Sequence, residues 1–238
     1  MKSCLCIFLG LPRTILKCFP NIKKNLIENN NDFNFKYIVN TEGTESEINL
    51  IKNTLNIDDS NIIIFTIDKN KIESSFQIYI HRLYQCLKKE ENNFYDIYIN
   101  LRFDIIINKS INLNNYLDKY CIITGTFTRD CDFHNRDWDL MAIGSNFNYK
   151  MYNYPIVNEV LKNWLKEDIN IVIDNNLNTD IKDEFISDNE LKEINNKCGL
   201  ITDQPNSYFS RVIKNLLNNG GNFIVSEKFE QIHASIIR

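Results

Sequence analysis

The chain has 238 residues, 43% of them hydrophobic and 24% charged, the balance of a globular protein rather than of a disordered one. That length suits one large domain, or a domain with a helical appendage. A net charge of −4 gives no general footprint for nucleic acid or an anionic membrane and leaves only local positive sites for small anions.

Residues 3–9 form an apolar run closed by Gly10, which reads as a buried first strand. The turn "GLPR" follows, and Ile22, Leu26 and Ile27 then recur at helical spacing within 19–29. "FKYIVNT" is a second strand ending at Thr41, and residues 45–55 form a short helix with Ile48, Leu50, Ile51 and Leu55 as its apolar set. "NIIIFTI" is a third strand, and residues 72–91 form a longer amphipathic helix. "YDIYINLRFDIII" is the fourth strand, read as continuous over 95–107. Three strand–helix units and a further strand predict an α/β fold with a mostly parallel sheet flanked by helices. The strand C-terminal ends then share one edge, where open α/β sheets bind ligands.

The second half is less regular. "YCIITG" and "DLMAIGS" read as short strands separated by a polar loop, and a helix is expected through "IVNEVLKNWLKE". Helices near 187–196 and 208–217 follow, then a turn and a short strand in "GGNFIVSEKF". The expected organisation is a single domain over 1–238, with an α/β core over 1–152 and a mainly helical C-terminal portion over 153–238.

Ala occurs only at Ala142 and Ala234, and Asn, Ile and Lys are abundant, as an AT-rich genome such as that of a giant DNA virus would encode. The same bias accounts for the asparagine runs without any prion-like role. Lysine outnumbers arginine 20 to 7, so an arginine hints at bidentate or planar recognition. The seven cysteines include no CxxC pair, the pattern of a reduced intracellular protein, here expected in the cytoplasm, or the host cytoplasm if the protein is viral. No apolar run approaches ~18 residues, so no transmembrane segment is expected. The opening "MKSCLCIFLGLP" has the lysine and short apolar run of a signal peptide but no small-residue cleavage site, and it fits a first strand better.

Strand alternation puts Asn100, Arg102 and Asp104 on one face near the end of the fourth strand. Two readings stand: an ion pair at the sheet margin, or a ligand site at the binding edge. Gly10 permits close approach or an unusual φ, and Arg13 is expected to start a helix whose free N–H groups attract anions. "GLPR" is neither a G-x-G-x-x-G nor a P-loop. Asp137 and Asp139 alternate before an apolar strand, a spacing that can hold a hard cation or supply a base, and is also common in loops. His134 has no partner at ligand spacing, and neither Ser-His-Asp nor Cys-His catalysis finds support.

The blocks "CIFLGLPRTILKCFPNIKKNLI", "FKYIVNT", "YDIYINLRFDIII" and "DWDLMAIGSNFNYKM" resemble, in order and spacing, those of small glycosyltransferases from giant viruses and bacterial surface-polysaccharide clusters, including the WavE-like proteins. The resemblance covers roughly residues 3–152, and the C-terminal third adds little. It implies a GT-A-like fold, a nucleotide-sugar donor, most simply a UDP-sugar, and a glycan acceptor. In that fold a D-x-D motif holds Mn²⁺ or Mg²⁺ on the diphosphate. Here Arg102-Phe103-Asp104 stands in that place, so Asp104 alone remains as the implied metal ligand, and Arg102 can itself neutralise a diphosphate. Gly10, Arg13, Thr41, Arg102 and Asp104 are the implied donor-binding residues. Asp137 and Asp139 are the implied catalytic ones, in a segment closing over sugar or acceptor. A non-catalytic nucleotide- or carbohydrate-binding protein on the same fold is the alternative. A methyltransferase is disfavoured by the lack of a Gly-rich first loop.

Overall fold

The strand β1 (Lys2–Leu9) is buried on both sides from Cys4 onward. Leu5, Ile7 and Leu9 enter one apolar layer, and Cys4, Cys6 and Phe8 enter the other. A strand of this kind needs cover on both faces, which only a sheet between two helical layers provides. In this computed structural model, residues 1–66, 74–123, 141–165, 181, 185–198, 208–225 and 234–236 are described.

β1 pairs in parallel with β2 (Phe33–Thr41) on one side and with β4 (Ile97–Arg102) on the other, and β3 (Ile62–Ile64) extends the sheet beyond β2, also parallel. The four parallel strands expected from the strand–helix alternation are present. Beyond β4, β7 (Met141–Ser145) runs antiparallel, β6 (Tyr120–Ile123) is antiparallel to it, and β8 (Phe223–Val225) is parallel to β6. The sheet order is β3-β2-β1-β4-β7-β6-β8. One layer holds α1 (Ile15–Ile22), its π-helical continuation Lys23–Ile27, and α2 (Glu45–Leu55). The other holds α3 (Ser75–Lys89), α4 (Asn146–Leu165), α5 (Asp188–Cys198) and α6 (Tyr208–Asn218). Among the described residues, no helix is long and apolar enough to cross a membrane.

Besides the first helix, which begins at Ile15 rather than near 19, two elements depart from the sequence reading. The fourth strand is not continuous: β4 stops at Arg102, and β5 (Ile105–Ile107) leaves to pair antiparallel with the unanticipated β9 (Ala234–Ile236). Phe103 turns inward at the break and stacks on Phe8 at 5.4 Å. The backbone of β5 is then held by asparagine side chains: Ile107 N–H donates to Asn21 Oδ1 at 2.7 Å, and Asn25 Nδ2 donates to the Ile107 carbonyl at 2.7 Å. These amides replace a missing neighbour strand. The second departure is α4, which starts at Asn146 and runs through Pro155 and across residues 152–153, so the core and the C-terminal portion share it. Burial of Tyr149, Met151, Tyr152 and Tyr154 against the sheet outweighs the helix-breaking tendency of the proline.

Aromatic packing fastens the antiparallel strands to the rest. Tyr98 stacks on Tyr149 at 4.7 Å, and Tyr120 on Tyr152 at 4.6 Å. Gly144 lies in register with both Tyr98 and Tyr120, and its lack of a side chain makes room for the Tyr120 ring and for Tyr149. A Cβ there would sit 2.6 Å from Tyr120 Cδ2 and 3.2 Å from Tyr149 Cβ. Gly144→Ala should therefore destabilise the fold by about 1–3 kcal/mol through overpacking, read as a lower midpoint in urea with an unchanged m-value.

Candidate functional site

The chain leaves β1 through α1 on one face and reaches β4 from α3 on the other. The connections diverge there, and the crevice where such a sheet binds ligands opens beyond the ends of these two strands. A cavity of about 660 Å³ fills it, a volume suited to a small-molecule ligand. It is lined by the end of β1 and the following turn, by Glu42 after β2, by Arg102, Phe103 and Asp104, and by one stripe of α3.

Gly10 adopts φ +114° and donates its N–H to the Asn40 carbonyl at 3.2 Å. That φ is strained for any residue with a Cβ, so the glycine is required by the turn itself. Arg13 is exposed on the same cavity wall, but it precedes α1 rather than starting it. The N–H groups of Ile15, Lys17 and Cys18 already bond to the carbonyls of Pro12 and Thr14, and Thr14 Oγ1 donates to the Phe103 carbonyl at 3.1 Å. The anion attraction expected of the helix end thus passes to side chains. Thr41 is fully buried, with its hydroxyl on the Glu42 carbonyl at 3.0 Å, and it is Glu42 that lines the cavity.

Arg102 and Asp104 form a bidentate pair: Nε donates to Oδ1 and Nη2 to Oδ2, each at 2.8 Å. Asp104 does this from the turn after β4, not from the strand. The side chains are 30% and 24% exposed, so the pair is neither a surface bridge nor a dry one, and both members line the cavity. A hard divalent cation takes several oxygen ligands. Among the described residues no group of three or more His, Cys, Asp or Glu could hold a metal, and both carboxylates on the cavity wall are bound to arginines. The described donor set fits an anion and does not fit a metal. Asp137, Asp139 and His134 lie outside the described residues.

Arg82 escaped the sequence reading. It is buried on α3, with side-chain exposure of 8%, and its guanidinium carbon lies 4.6 Å from the centroid of the Phe65 ring. Glu42 accepts from its Nη2. Burial lowers its pKa from the ordinary guanidinium value, and Glu42 acts in the opposite direction. The scarcity of arginine that drew attention to Arg13 and Arg102 applied equally to Arg82 and was the available signal. Among the described residues, three guanidinium groups and two carboxylates face the cavity, giving one net positive charge. Nearby Cys18 is buried, and burial raises its thiol pKa above the usual value, so the site has no poised thiolate there. The arrangement is suited to gripping an anion, with Ile78 and Tyr79 as its apolar wall.

The chain matches no protein-family model and no curated protein.

Replacing Asp104 by Asn tests the pair directly. Because both members are partly hydrated, the variant should lose roughly 1 kcal/mol of stability or less, measured by urea unfolding. A loss of several kcal/mol would mark the pair as structural rather than as part of a binding surface.

Proposed function

We propose that the protein is a nucleotide-sugar-dependent glycosyltransferase with a GT-A-like fold, moving a hexose-type sugar to a glycan hydroxyl. The observation that carries this reading is the cavity at the diverging ends of β1 and β4, where Arg13, Arg82 and Arg102 converge around Gly10. Four parallel strands followed by one reversed strand, with a small second sheet that begins just after Asp104, also support it. So does the family resemblance of residues 3–152, whose first-strand and fourth-strand blocks supply Gly10, Arg13, Arg102 and Asp104.

In this reading the diphosphate of a UDP- or other NDP-sugar lies against the guanidinium groups, and the base rests on the apolar wall of Ile78 and Tyr79. Negative charge grows on the leaving diphosphate as the glycosidic bond breaks. Fixed cations in a partly desolvated crevice stabilise that charge more in the transition state than in the ground state. If the reaction inverts, proton removal from the acceptor hydroxyl is assigned to Asp139, two residues after Asp137. One observation favours the rival, a non-catalytic binding protein: Glu42 and Asp104, the carboxylates that line the cavity among the described residues, are both engaged by arginines.

A thermal-shift screen against nucleotide-sugars, with and without Mn²⁺, combined with a donor-hydrolysis assay, tests the proposal. Stabilisation by one class of nucleotide-sugar together with turnover is the expected result. Binding without turnover would favour the rival, and no response to any donor would remove the nucleotide-sugar reading. Arg102→Lys keeps the charge but loses the bidentate pair with Asp104 that orients the cation on the cavity wall, so donor affinity should fall about tenfold or more.

A further inference from the structure

The α3 residues Ser75, Ile78, Tyr79 and Arg82 follow one another at helical spacing along the cavity wall. Three of them need no explanation beyond packing and hydration. Arg82 does. It is a buried cation, and its Nε is buried without a hydrogen-bond partner among the described residues. Leaving a buried donor unpaired is destabilising, and burying a guanidinium adds to the penalty. The Phe65 ring and Glu42 offset part of that penalty but leave the Nε donor unpaired among the described residues.

The hydrogen bonds show what is missing. On Arg102 the side-on fork, Nε with Nη2, is filled at both positions by Asp104. On Arg82 the same fork is half filled: Glu42 takes Nη2, and Nε has no acceptor among the described residues. Glu42 is 45% exposed, so its carboxylate can move into water at little cost, whereas Arg82 cannot follow it. An incoming acceptor with two oxygens spaced as in a phosphate would fill the whole fork and displace Glu42. Both guanidinium groups flank one place. A Cβ on Gly10 would lie 3.8 Å from Arg82 Nη1, and Leu9, just before it, is in register with Arg102.

We infer that Arg82 and Arg102 form a two-sided clamp for a diphosphate group that works without a divalent cation, and that Glu42 is the latch occupying Arg82 until the ligand displaces it. This rests on the nucleotide-sugar reading and deepens it, giving the task of the reduced D-x-D motif to a helix-borne arginine that the motif does not contain. Glu42 and the diphosphate compete for the same fork, so removing the carboxylate favours the ligand.

Titration calorimetry with inorganic pyrophosphate in EDTA is the test, with the melting temperature of each variant as a check on folding. The parent protein should bind pyrophosphate in EDTA. Arg82→Lys should weaken that binding about tenfold or more, and Glu42→Gln should tighten it several-fold, since a competing anion is gone. Glu42→Gln alters a half-exposed side chain, so its result stands even if Arg82→Lys does not fold. Pyrophosphate binding that appears only when Mg²⁺ or Mn²⁺ is added would overturn the clamp, as would unchanged or weaker binding in Glu42→Gln. Nucleotide-sugar binding that requires Mn²⁺ would also overturn it while leaving the transferase reading intact. Arg82-dependent pyrophosphate binding with no response to any nucleotide-sugar would support the clamp and remove that reading instead.

Discussion

Parallel pairing of β1 with β4 is the constraint on which the site depends. Its register sets Leu9 beside Arg102, so the residues that follow, Gly10 and Phe103, leave the sheet at neighbouring points. Both strands are too apolar to end in water without turning, and they turn differently. Gly10 takes a left-handed φ and leads toward α1, while Phe103 folds inward onto Phe8 and redirects the chain into β5. The crevice is the space between these two departures. Its chemistry then follows from which side chains reach it from β4, from the loop after β2 and from α3.

The electrostatics of the crevice are graded by burial. Arg13 is exposed, Arg102 is about one-third exposed, and Arg82 is nearly dry. The same charge acts more strongly as the surroundings lose water, so the innermost guanidinium has the largest effect on a bound anion and carries the largest desolvation penalty when the cavity lacks one. Phe65 beneath it and Glu42 beside it offset part of that penalty through cation–π contact and charge pairing.

The asparagine-rich composition has a structural use. Asn30, almost fully buried, donates to the carbonyls of Leu26 and Ile111 and accepts from the Leu113 N–H at 2.7 Å. Asn100, buried in β4, accepts from the Tyr149 hydroxyl at 2.5 Å and donates to the Tyr79 hydroxyl at 3.1 Å, joining sheet, α4 and the cavity wall. These side chains satisfy backbone and hydroxyl groups that the core would otherwise strand. A genomic bias toward asparagine is thus compatible with a well-ordered interior, provided each amide finds its partners.

Legibility in the sequence followed the range of the forces involved. The four parallel strands, α2 over 45–55 and the short strands β6 to β8 were readable because burial periodicity and turn residues are local signals. Gly10 was readable because it closes an apolar run, and Arg102 with Asp104 because a cation and an anion near the end of such a run are conspicuous. The break after Arg102 was not readable, since Phe103 and Ile105–Ile107 are as apolar as a continuing strand, and only the space beneath α1 draws them out of the sheet. The start of α4 was hidden for a similar reason: tertiary burial of its tyrosines outweighs the signal of Pro155. Arg82 was hidden because one arginine on an amphipathic helix looks like a solvated face. Sequence alone determined which segments are buried strands and which edge collects the C-terminal ends of the parallel ones. Only the tertiary structure decided that Arg82 faces that edge, dry and half-partnered, because its burial depends on Phe65 and Glu42, 17 and 40 residues away along the chain.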